Sequence, residues 1–404
     1  MTGEEGFDSR RRRTVLTTLS ITQTIGYGIL LYSYAVLLEP MTRDLSSSPA
    51  VVTGAYTASV LTGAVVAVPF GRWLDRHGGR ALMTTGSVGG ALLLLAWSRV
   101  ETVAQLYVVQ CGIGIVGAAT LYDAAIPVVV SWYGTRTRPR ALLTVTVAAG
   151  SASTIFLPLS GWLVERHGWR TSLVVLGLLY ASTIPLHTLV RRPHRRIGTA
   201  GPQAAPAPGR SVALRDRAFW LIAVGLTLET GAVNAFNVHI VSALGQWGHS
   251  PAFSAGIAGL LGVFSVAGRL VTTGLRRWCA TAMLTAAVFC LQALAAFLLP
   301  VIATSPFGAI GAVIGFGIGA GVGTIAKPIL LSERYGSQDY GTLAGMVAIP
   351  MTLAKAGAPL AASFINSSTG GYQLALVSIG ACCMLAAAAL TATGTPRTIP
   401  ALRG

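Results

Sequence analysis

One ten-residue stretch decides the fold of this chain: Gly71-Arg72-Trp73-Leu74-Asp75-Arg76-His77-Gly78-Gly79-Arg80. It is rich in glycine and arginine, and it joins two apolar runs that are each long enough to cross about 30 Å of hydrocarbon. A short basic connection between two such runs is typical of a membrane hairpin with a cytoplasmic turn. The rest of the chain repeats this pattern.

Apolar residues make up 53% of the 404 residues and charged residues only 10%, whereas soluble domains carry about 25% charged residues. The composition therefore excludes a chain of soluble domains. The apolar runs are expected to be helices, because an open sheet edge in lipid leaves N–H and C=O groups unpaired. We predict an all-α membrane protein with twelve transmembrane helices, at residues 14–38, 51–71, 81–98, 103–132, 141–164, 171–190, 218–242, 254–275, 280–299, 307–332, 341–365 and 372–392.

The distribution of charge predicts the orientation. If the N-terminus is cytoplasmic, the cytoplasmic segments carry 22 bases and 7 acids, and the opposite segments carry 4 of each. By the positive-inside rule, both termini then lie in the cytoplasm. The net charge of +16 is explained by topology rather than by a nucleic-acid partner. We expect a multi-pass protein of a plasma membrane, and the near-absence of lysine beside abundant arginine is typical of a bacterial source.

The chain also divides into two similar halves. We predict a cytoplasmic tail at 1–13, a six-helix bundle at 14–190, a Pro- and Ala-rich linker at 191–217, a second six-helix bundle at 218–392 and a tail at 393–404. Three landmarks recur in the same order, with Gly268-Arg269 echoing Gly71-Arg72, Tyr335-Gly336 echoing Tyr133-Gly134 and Gly371-Tyr372 echoing Gly168-Trp169. Parallel repeats of this kind are a known transporter plan, with the binding site between the repeats.

The opening stretch closely resembles the loop 2–3 motif of the major facilitator superfamily, carried here by Gly71, Asp75, Arg76, Gly78 and Arg80. With twelve spans and a central linker, the resemblance covers nearly the whole chain. It implies the major facilitator fold, two six-helix pseudo-repeats that work by alternating access. We expect Asp75 to pair across the cytoplasmic face and latch the inner gate. The alternative is a plain cytoplasmic turn to which Asp75 adds nothing.

Five Asp, Glu, Lys or Arg residues fall inside the predicted spans. Charges in the membrane are costly and are functional candidates by default. Arg269 and Lys355 lie near the middle of their spans, whereas Lys327 lies near an inner end, where it can snorkel. Two cations at mid-depth favour an anionic substrate, since arginine offers a planar fork to a carboxylate and lysine a point charge. Glu229 and Asp123 are candidates to carry a proton. For Glu229 the alternatives are a neutral, hydrogen-bonded side chain or an ion pair with Arg269.

A narrower resemblance supports this interpretation. The region from Phe219-Trp220 to Gly268-Arg269-Leu270 looks like spans seven and eight of the monocarboxylate porters, and Lys355 resembles the span-eleven lysine of oxalate/formate-type antiporters. The resemblance implies that Arg269 and Lys355 bind the substrate carboxylate. Tyr122 resembles the span-four tyrosine of the oxalate-type site, and Tyr27 can donate a hydrogen bond. Ser265 stands where many porters carry an acid.

The sequence therefore predicts a secondary transporter for a mono- or dicarboxylate, by proton symport or anion exchange. The alternative is proton-driven efflux of a drug or secondary metabolite, although 107–112 lacks the Arg-x-x-x-Gly element of such exporters. A third hypothesis is a membrane receptor that transports nothing. Without a Walker motif, catalytic triad or metal-ligand cluster in the sequence, we expect no enzyme activity, no cofactor, no metal and no nucleic-acid partner. The expected partners are an organic anion, protons and the bilayer, and the expected state is a monomer.

Overall fold

The computed structural model of the chain describes residues 2–134, 137–191, 215–275, 278–335 and 340–393. Most of the predicted linker and of the C-terminal tail lies outside these ranges, and so does the side chain of Asp75. All regular secondary structure in the described residues is helical. The predicted all-α fold is therefore confirmed.

The described residues form fifteen α-helices and one π-helical turn, Gly28–Tyr32. In chain order the α-helices are α1 Thr2–Tyr27, α2 Ser33–Asp44, α3 Pro49–His77, α4 Gly79–Trp97, α5 Val103–Thr120, α6 Tyr122–Trp132, α7 Arg138–Gly150, α8 Ala152–Ala181, α9 Thr183–Thr188, α10 Arg217–Gln246, α11 Pro251–Leu275, α12 Thr281–Ile302, α13 Pro306–Tyr335, α14 Tyr340–Thr369 and α15 Gln373–Thr391.

Eleven stretches of the described residues are long and apolar enough to cross a membrane. One of them, Arg140–Thr188, has 49 residues and covers the predicted spans five and six. Gly168 breaks it with φ 74° and ψ 165°, a conformation that glycine adopts without the steric penalty of a Cβ. The stretch therefore accounts for two crossings, which agrees with the twelve predicted helices.

The stretch from Gly71 to Arg80 forms a helix end and a tight turn. α3 continues beyond the predicted span as far as His77, and the Gly78 N–H donates a 2.8 Å hydrogen bond to Leu74 O. Gly78 has φ 80°, so the turn requires a glycine. Gly79 starts α4 so close to Val128 of α6 that a Cβ would lie 2.5 Å from Val128 Cγ2.

The first and the fourth predicted spans each contain an interruption of the α-helix that the sequence did not predict. The first span contains the π-helical turn, where Gly28 lies so close to Phe156 that a Cβ would approach the ring to 2.1 Å. The fourth span breaks at Leu121, which has extended backbone with φ −87° and ψ −157°. Gly26 of α1 makes room for the Leu121 side chain, since a Cβ there would lie 2.7 Å from it.

The chain separates into two compact units. The first comprises Met1–Thr199 together with Asn237–Gly262, and the second comprises Ala200–Phe236 together with Val263–Gly404. The core of the first unit contains Trp97 and Leu173, both completely buried. The core of the second unit is built around Leu226 and Phe289, which are also completely buried.

Equivalent hydrogen bonds hold the helix ends in each unit. In the first unit, Trp132 Nε1 donates to Arg191 O at 2.9 Å, so the end of α6 is tied to the residues after α9. In the second unit, 202 positions later at both ends, Arg334 Nη1 donates to Thr393 O at 3.0 Å. The neighbouring tyrosine in each unit donates a 2.9 Å hydrogen bond to that unit's first helix or the residue before it: Tyr133 to Arg12 O on α1, and Tyr335 to Asp216 Oδ2 just before α10. These matched contacts support a duplicated six-helix unit.

Candidate functional site

Three of the residues singled out in the sequence lie together in the first unit. Tyr27 ends α1, and Tyr122 begins α6 directly after the break at Leu121. Their ring centroids are 4.6 Å apart with an interplanar angle of 51°. Asp123 lies in the first turn of α6, where the positive end of a helix dipole favours a negative charge, and it is exposed. The break in the fourth span thus places two phenols and a carboxylate at one point.

Behind this group runs a chain of buried polar side chains that the sequence analysis missed. Gln23 Nε2 donates a 2.7 Å hydrogen bond to Thr120 O, the carbonyl that ends α5. The Thr120 hydroxyl lies 3.2 Å from the Tyr180 hydroxyl. Gln23 is completely buried. A glutamine within an apolar span was the available signal, because a buried amide needs partners.

The chain continues toward the end of the sixth span. Ser87 Oγ lies 2.6 Å from His187 Nδ1, and Thr183 Oγ1 donates to Ser87 Oγ at 3.0 Å. His187 is 1% exposed. These contacts join α4 to α9, so we assign them a structural role in holding the first unit together.

Glu229 lies inside the second unit, on α10. Only 3% of the residue is exposed, and its carboxylate is packed against the backbone of Gly323 on α13. A Cβ at residue 323 would lie 2.3 Å from Glu229 Oε1, so any other residue there would force the carboxylate to move. Among the described residues, Glu229 forms no ion pair. The alternative in which Glu229 pairs with Arg269 is therefore wrong.

The two helices around Glu229 run antiparallel with a regular register. Seven residues after Glu229, Phe236 stacks on Phe316, which lies seven residues before Gly323, with centroids 3.7 Å apart and an interplanar angle of 10°. At the other end, Phe219 meets Tyr335 edge to face with centroids 6.1 Å apart. Glu229 thus occupies the middle of an apolar seam between α10 and α13.

Arg269 lies on α11 and is oriented by two hydrogen bonds. Its Nε donates to Gly321 O of α13 at 3.1 Å, and its Nη2 donates to Ser265 Oγ at 3.3 Å. α11 and α13 approach closely there, because a Cβ at Gly321 would lie 1.8 Å from Ser265 O. Ser265 therefore helps to fix the plane of the guanidinium group.

Lys355 lies on α14 and Lys327 on α13, and both are partly buried. Of the loop motif, Arg76 and Arg80 are exposed and Gly71 is partly buried. The latch assigned to Asp75 stays a prediction, because its side chain lies outside the described part of the chain. No cluster of metal-ligating side chains is found among the described residues.

Comparisons with known proteins agree on one family. The family model of the Major Facilitator Superfamily matches residues 19–349. A protein of Bos taurus named monocarboxylate transporter 13 is 24% identical over 320 aligned positions, and the match covers 76% of this chain and 71% of that protein. An MFS-type efflux pump of Mycolicibacterium smegmatis is 26% identical over 279 aligned positions. That match covers 65% of this chain and 62% of the pump, which is less than two thirds of the pump's length.

Solved structures show the same fold. A bacterial homologue of the human lysosomal transporter Spinster, in an inward-facing and unoccupied conformation, superposes with a TM-score of 0.74 at 14% identity, covering 95% of this chain and 97% of that one. The nucleoside transporter NupG superposes with a TM-score of 0.70 at 16% identity, covering 94% and 98%. At these identities the structures establish the fold alone.

Proposed function

The chain belongs to the Major Facilitator Superfamily, and from that premise we propose that it is a secondary transporter of a small organic anion that works by alternating access. The observation that carries the proposal is the orientation of Arg269 by Gly321 O and Ser265 Oγ. A guanidinium group has five N–H donors in a fixed plane. Because two of these donors are already hydrogen-bonded, the plane of the group is fixed. A guanidinium group in a fixed plane is oriented for bidentate binding of a carboxylate.

Lys355 is the second cation of the proposed site. It lies near the middle of α14, too deep for its ammonium group to reach the membrane surface easily. An ammonium group adds a compact positive charge without a directional fork. The curated relative named monocarboxylate transporter 13 is consistent with a carboxylate as the substrate.

We further propose that Glu229 or Asp123 carries the coupling proton, if transport is coupled to protons. Moving a charged carboxylate out of water is costly. A carboxyl group that is exposed to water in one state and buried in the other therefore releases a proton when exposed and binds one when buried. Glu229, which is buried on α10, is the candidate in the second unit, and Asp123, which lies beside Tyr27 and Tyr122, is the candidate in the first. Both tyrosines are proposed hydrogen-bond donors to the anion.

The test is uptake of labelled carboxylates by proteoliposomes that contain the purified full chain, with and without a pH gradient. Arg269→Gln and Lys355→Gln are each expected to lower uptake about 10- to 100-fold, the cost of one lost charge-assisted bond. Lys327→Gln is the matched control and is expected to transport like wild type. Normal uptake by both of the first two variants would overturn the anion site.

Efflux is the second candidate function. It is favoured by the relative named as an MFS-type efflux pump. Inverted vesicles distinguish the two candidates: an exporter accumulates hydrophobic dyes when the interior is acidified, and excess carboxylate leaves that accumulation unchanged. A carboxylate transporter instead accumulates labelled carboxylate and does not accumulate the dyes.

A further inference from the structure

Gln292 of α12 is a polar side chain inside the second unit. The residue is completely buried. Its amide oxygen and its amide nitrogen both lack a hydrogen-bond partner among the described residues. A buried amide that forms no hydrogen bond costs free energy. Gln292 is therefore a candidate to bind a group that the protein chain itself does not supply.

The Gln292 amide lies beside the Glu229 carboxylate on one face of α13. A Cβ at Gly319 would lie 2.2 Å from the amide carbon of Gln292, and a Cβ at Gly323 would lie 2.5 Å from the carboxyl carbon of Glu229. Residues four apart share a helix face, with Cβ positions about 6 Å apart. Glu229 likewise forms no hydrogen bond within the described part of the chain. Two buried polar groups thus lie side by side without a bond to each other.

The repeat shows that this amide replaces a phenol. Every buried position of α4 has a buried counterpart in α12, 202 positions later, so Gln292 corresponds to Gly90. The last five buried positions of α8 recur in α15, 203 positions later, so Cys383 corresponds to Tyr180. In the first unit a Cβ at Gly90 would lie 2.5 Å from the Tyr180 ring, whose hydroxyl lies 3.2 Å from the Thr120 hydroxyl. The second unit reverses the large and small residues, and its polar group comes from the opposite helix.

One water molecule fits between the two groups. Two hydrogen bonds of about 2.8 Å span about 6 Å, the separation of the two Cβ positions on α13. A buried water needs about two to four polar partners, and the Glu229 carboxyl and the two polar atoms of the Gln292 amide are three. A metal cation could not accept a hydrogen bond from the amide N–H group, whereas a water molecule can.

The charged groups near Glu229 leave this face of α13 to the amide. Arg269 contacts α13 two positions before the glycine that meets Glu229, and α14, which carries Lys355, packs on α10 two positions after Glu229. Residues two apart face about 200° apart, so both cations lie on other faces. Lys327 lies one turn further along α13 and forms no ion pair with Glu229 among the described residues. On α15, the Cys383 thiol lies close enough to interact electrostatically with Glu229.

We propose that Glu229 and Gln292 bind one water molecule against Gly319 and Gly323, and that Gln292 is a positioning residue for the proton on Glu229. This inference rests on the proposed function, because it takes Glu229 as the proton carrier. Water donates to a charged carboxylate and accepts from a protonated one, and a glutamine amide can serve it as acceptor or donor. The bridge therefore persists when the carboxyl gains or loses its proton.

The test is infrared difference spectroscopy of the full chain in proteoliposomes, between acidic and alkaline pH. The C=O stretch of protonated Glu229 is identified by its loss in Glu229→Gln. Gln292→Met removes the amide at similar length and is expected to move that band to higher wavenumber, because hydrogen bonding lowers the C=O frequency. Heavy-oxygen water should shift an O–H stretch that Gln292→Met lacks. Gln110→Met, which removes a buried glutamine from the first unit, is the matched control and is expected to change neither band.

A second variant is available if Gln292→Met does not fold. Gln292→Gly combined with Cys383→Tyr rebuilds the arrangement of the first unit, with a phenol in place of the amide. It is expected to keep the Glu229 band near its wild-type frequency, and a band moved as far as in an apolar variant would contradict the bridge.

Other outcomes separate the possible failures. A Glu229 band that Gln292→Met leaves in place would overturn the bridge, and the proton carrier would stand. A moved band with no loss of the heavy-oxygen-sensitive stretch would mean a direct bond without water. An unfolding temperature raised by NaCl but not by choline chloride, only when Gln292 is present, would mean a cation site instead. If no protonated Glu229 band exists and Glu229→Gln keeps full gradient-driven uptake, the inference and the proposed role of Glu229 both fail.

Discussion

Arg334 Nε donates a 3.0 Å hydrogen bond to Asp216 Oδ2, so the last turn of α13 is tied to the residue before α10. The Tyr335 hydroxyl donates to the same oxygen at 2.9 Å, and the Ala218 N–H donates to Asp216 Oδ1 at 3.0 Å. The first unit achieves the equivalent junction with an indole N–H and neutral backbone acceptors. The second unit therefore has a charged form of a junction that is neutral in the first.

This charged junction makes stability depend on pH. Burial would raise the pKa of Asp216, but the Ala218 N–H, the Arg334 guanidinium and the Tyr335 hydroxyl outweigh burial and hold the pKa below its ordinary value of 3.8. A carboxyl whose pKa is lowered by folding stabilises the protein at pH above the ordinary value. That contribution is lost as the pH falls through the lowered pKa.

Asp216→Asn is expected to lower the free energy of unfolding at pH 7 by about 1–2 kcal/mol, because it removes a charge-assisted acceptor. The difference from wild type should shrink as the pH falls below 3.8. Thermal unfolding of the detergent-solubilised protein across pH measures both effects. Glu39→Gln is the control, since Glu39 and Arg43 form an exposed pair at spacing i,i+4, which contributes at most about 0.5 kcal/mol. A pH-independent difference between Asp216→Asn and wild type would contradict this assignment.

Hydropathy and charge were sufficient to predict the helices of this fold, because lipid requires every span to satisfy its own backbone. They could not predict the break at Leu121 or the π-helical turn. Those depend on contacts with Gly26 and Phe156, which lie on other parts of the chain. The spans containing Tyr27 and Tyr122 were predictable, but the 4.6 Å between their rings was not.

The relation between Glu229 and Arg269 was also hidden in the sequence. Each lies against α13, Glu229 at Gly323 and Arg269 at Gly321. Residues two apart on an α-helix face about 200° apart, so α13 separates the two charges. The glycine run of the tenth span was visible in the sequence. The sequence did not show which residue packs against each glycine, because that depends on how the helices pack.

Gly323→Ala tests the packing of Glu229 against α13. The added Cβ would lie 2.3 Å from Glu229 Oε1, and overpacking of this kind costs about 1–3 kcal/mol. Gly311→Ala on the same helix is the control, because a Cβ there meets nothing within 4 Å. It is expected to be neutral or slightly stabilising, since alanine favours helices over glycine. Thermal unfolding of both purified variants measures the difference.

A double-mutant cycle makes this test specific. In a Glu229→Ala background the carboxylate is gone, so Gly323→Ala should cost much less than it does in wild type. Additive losses would mean that the two residues are not in contact.

Glu229→Gln tests the proton carrier directly. The first half carries the pair Gln23-Thr24 where the second half carries Glu229-Thr230, 206 positions later. The Gln23 amide is completely buried and bonded to Thr120 O, so the variant is expected to fold. A glutamine cannot bind and release a proton. If Glu229 carries the proton, accumulation driven by a pH gradient is lost while exchange of labelled for unlabelled carboxylate continues. Asp123→Asn is compared in parallel and is then expected to keep gradient-driven accumulation. The reverse pattern would assign the proton to Asp123, and coupled uptake by both variants would exclude both residues.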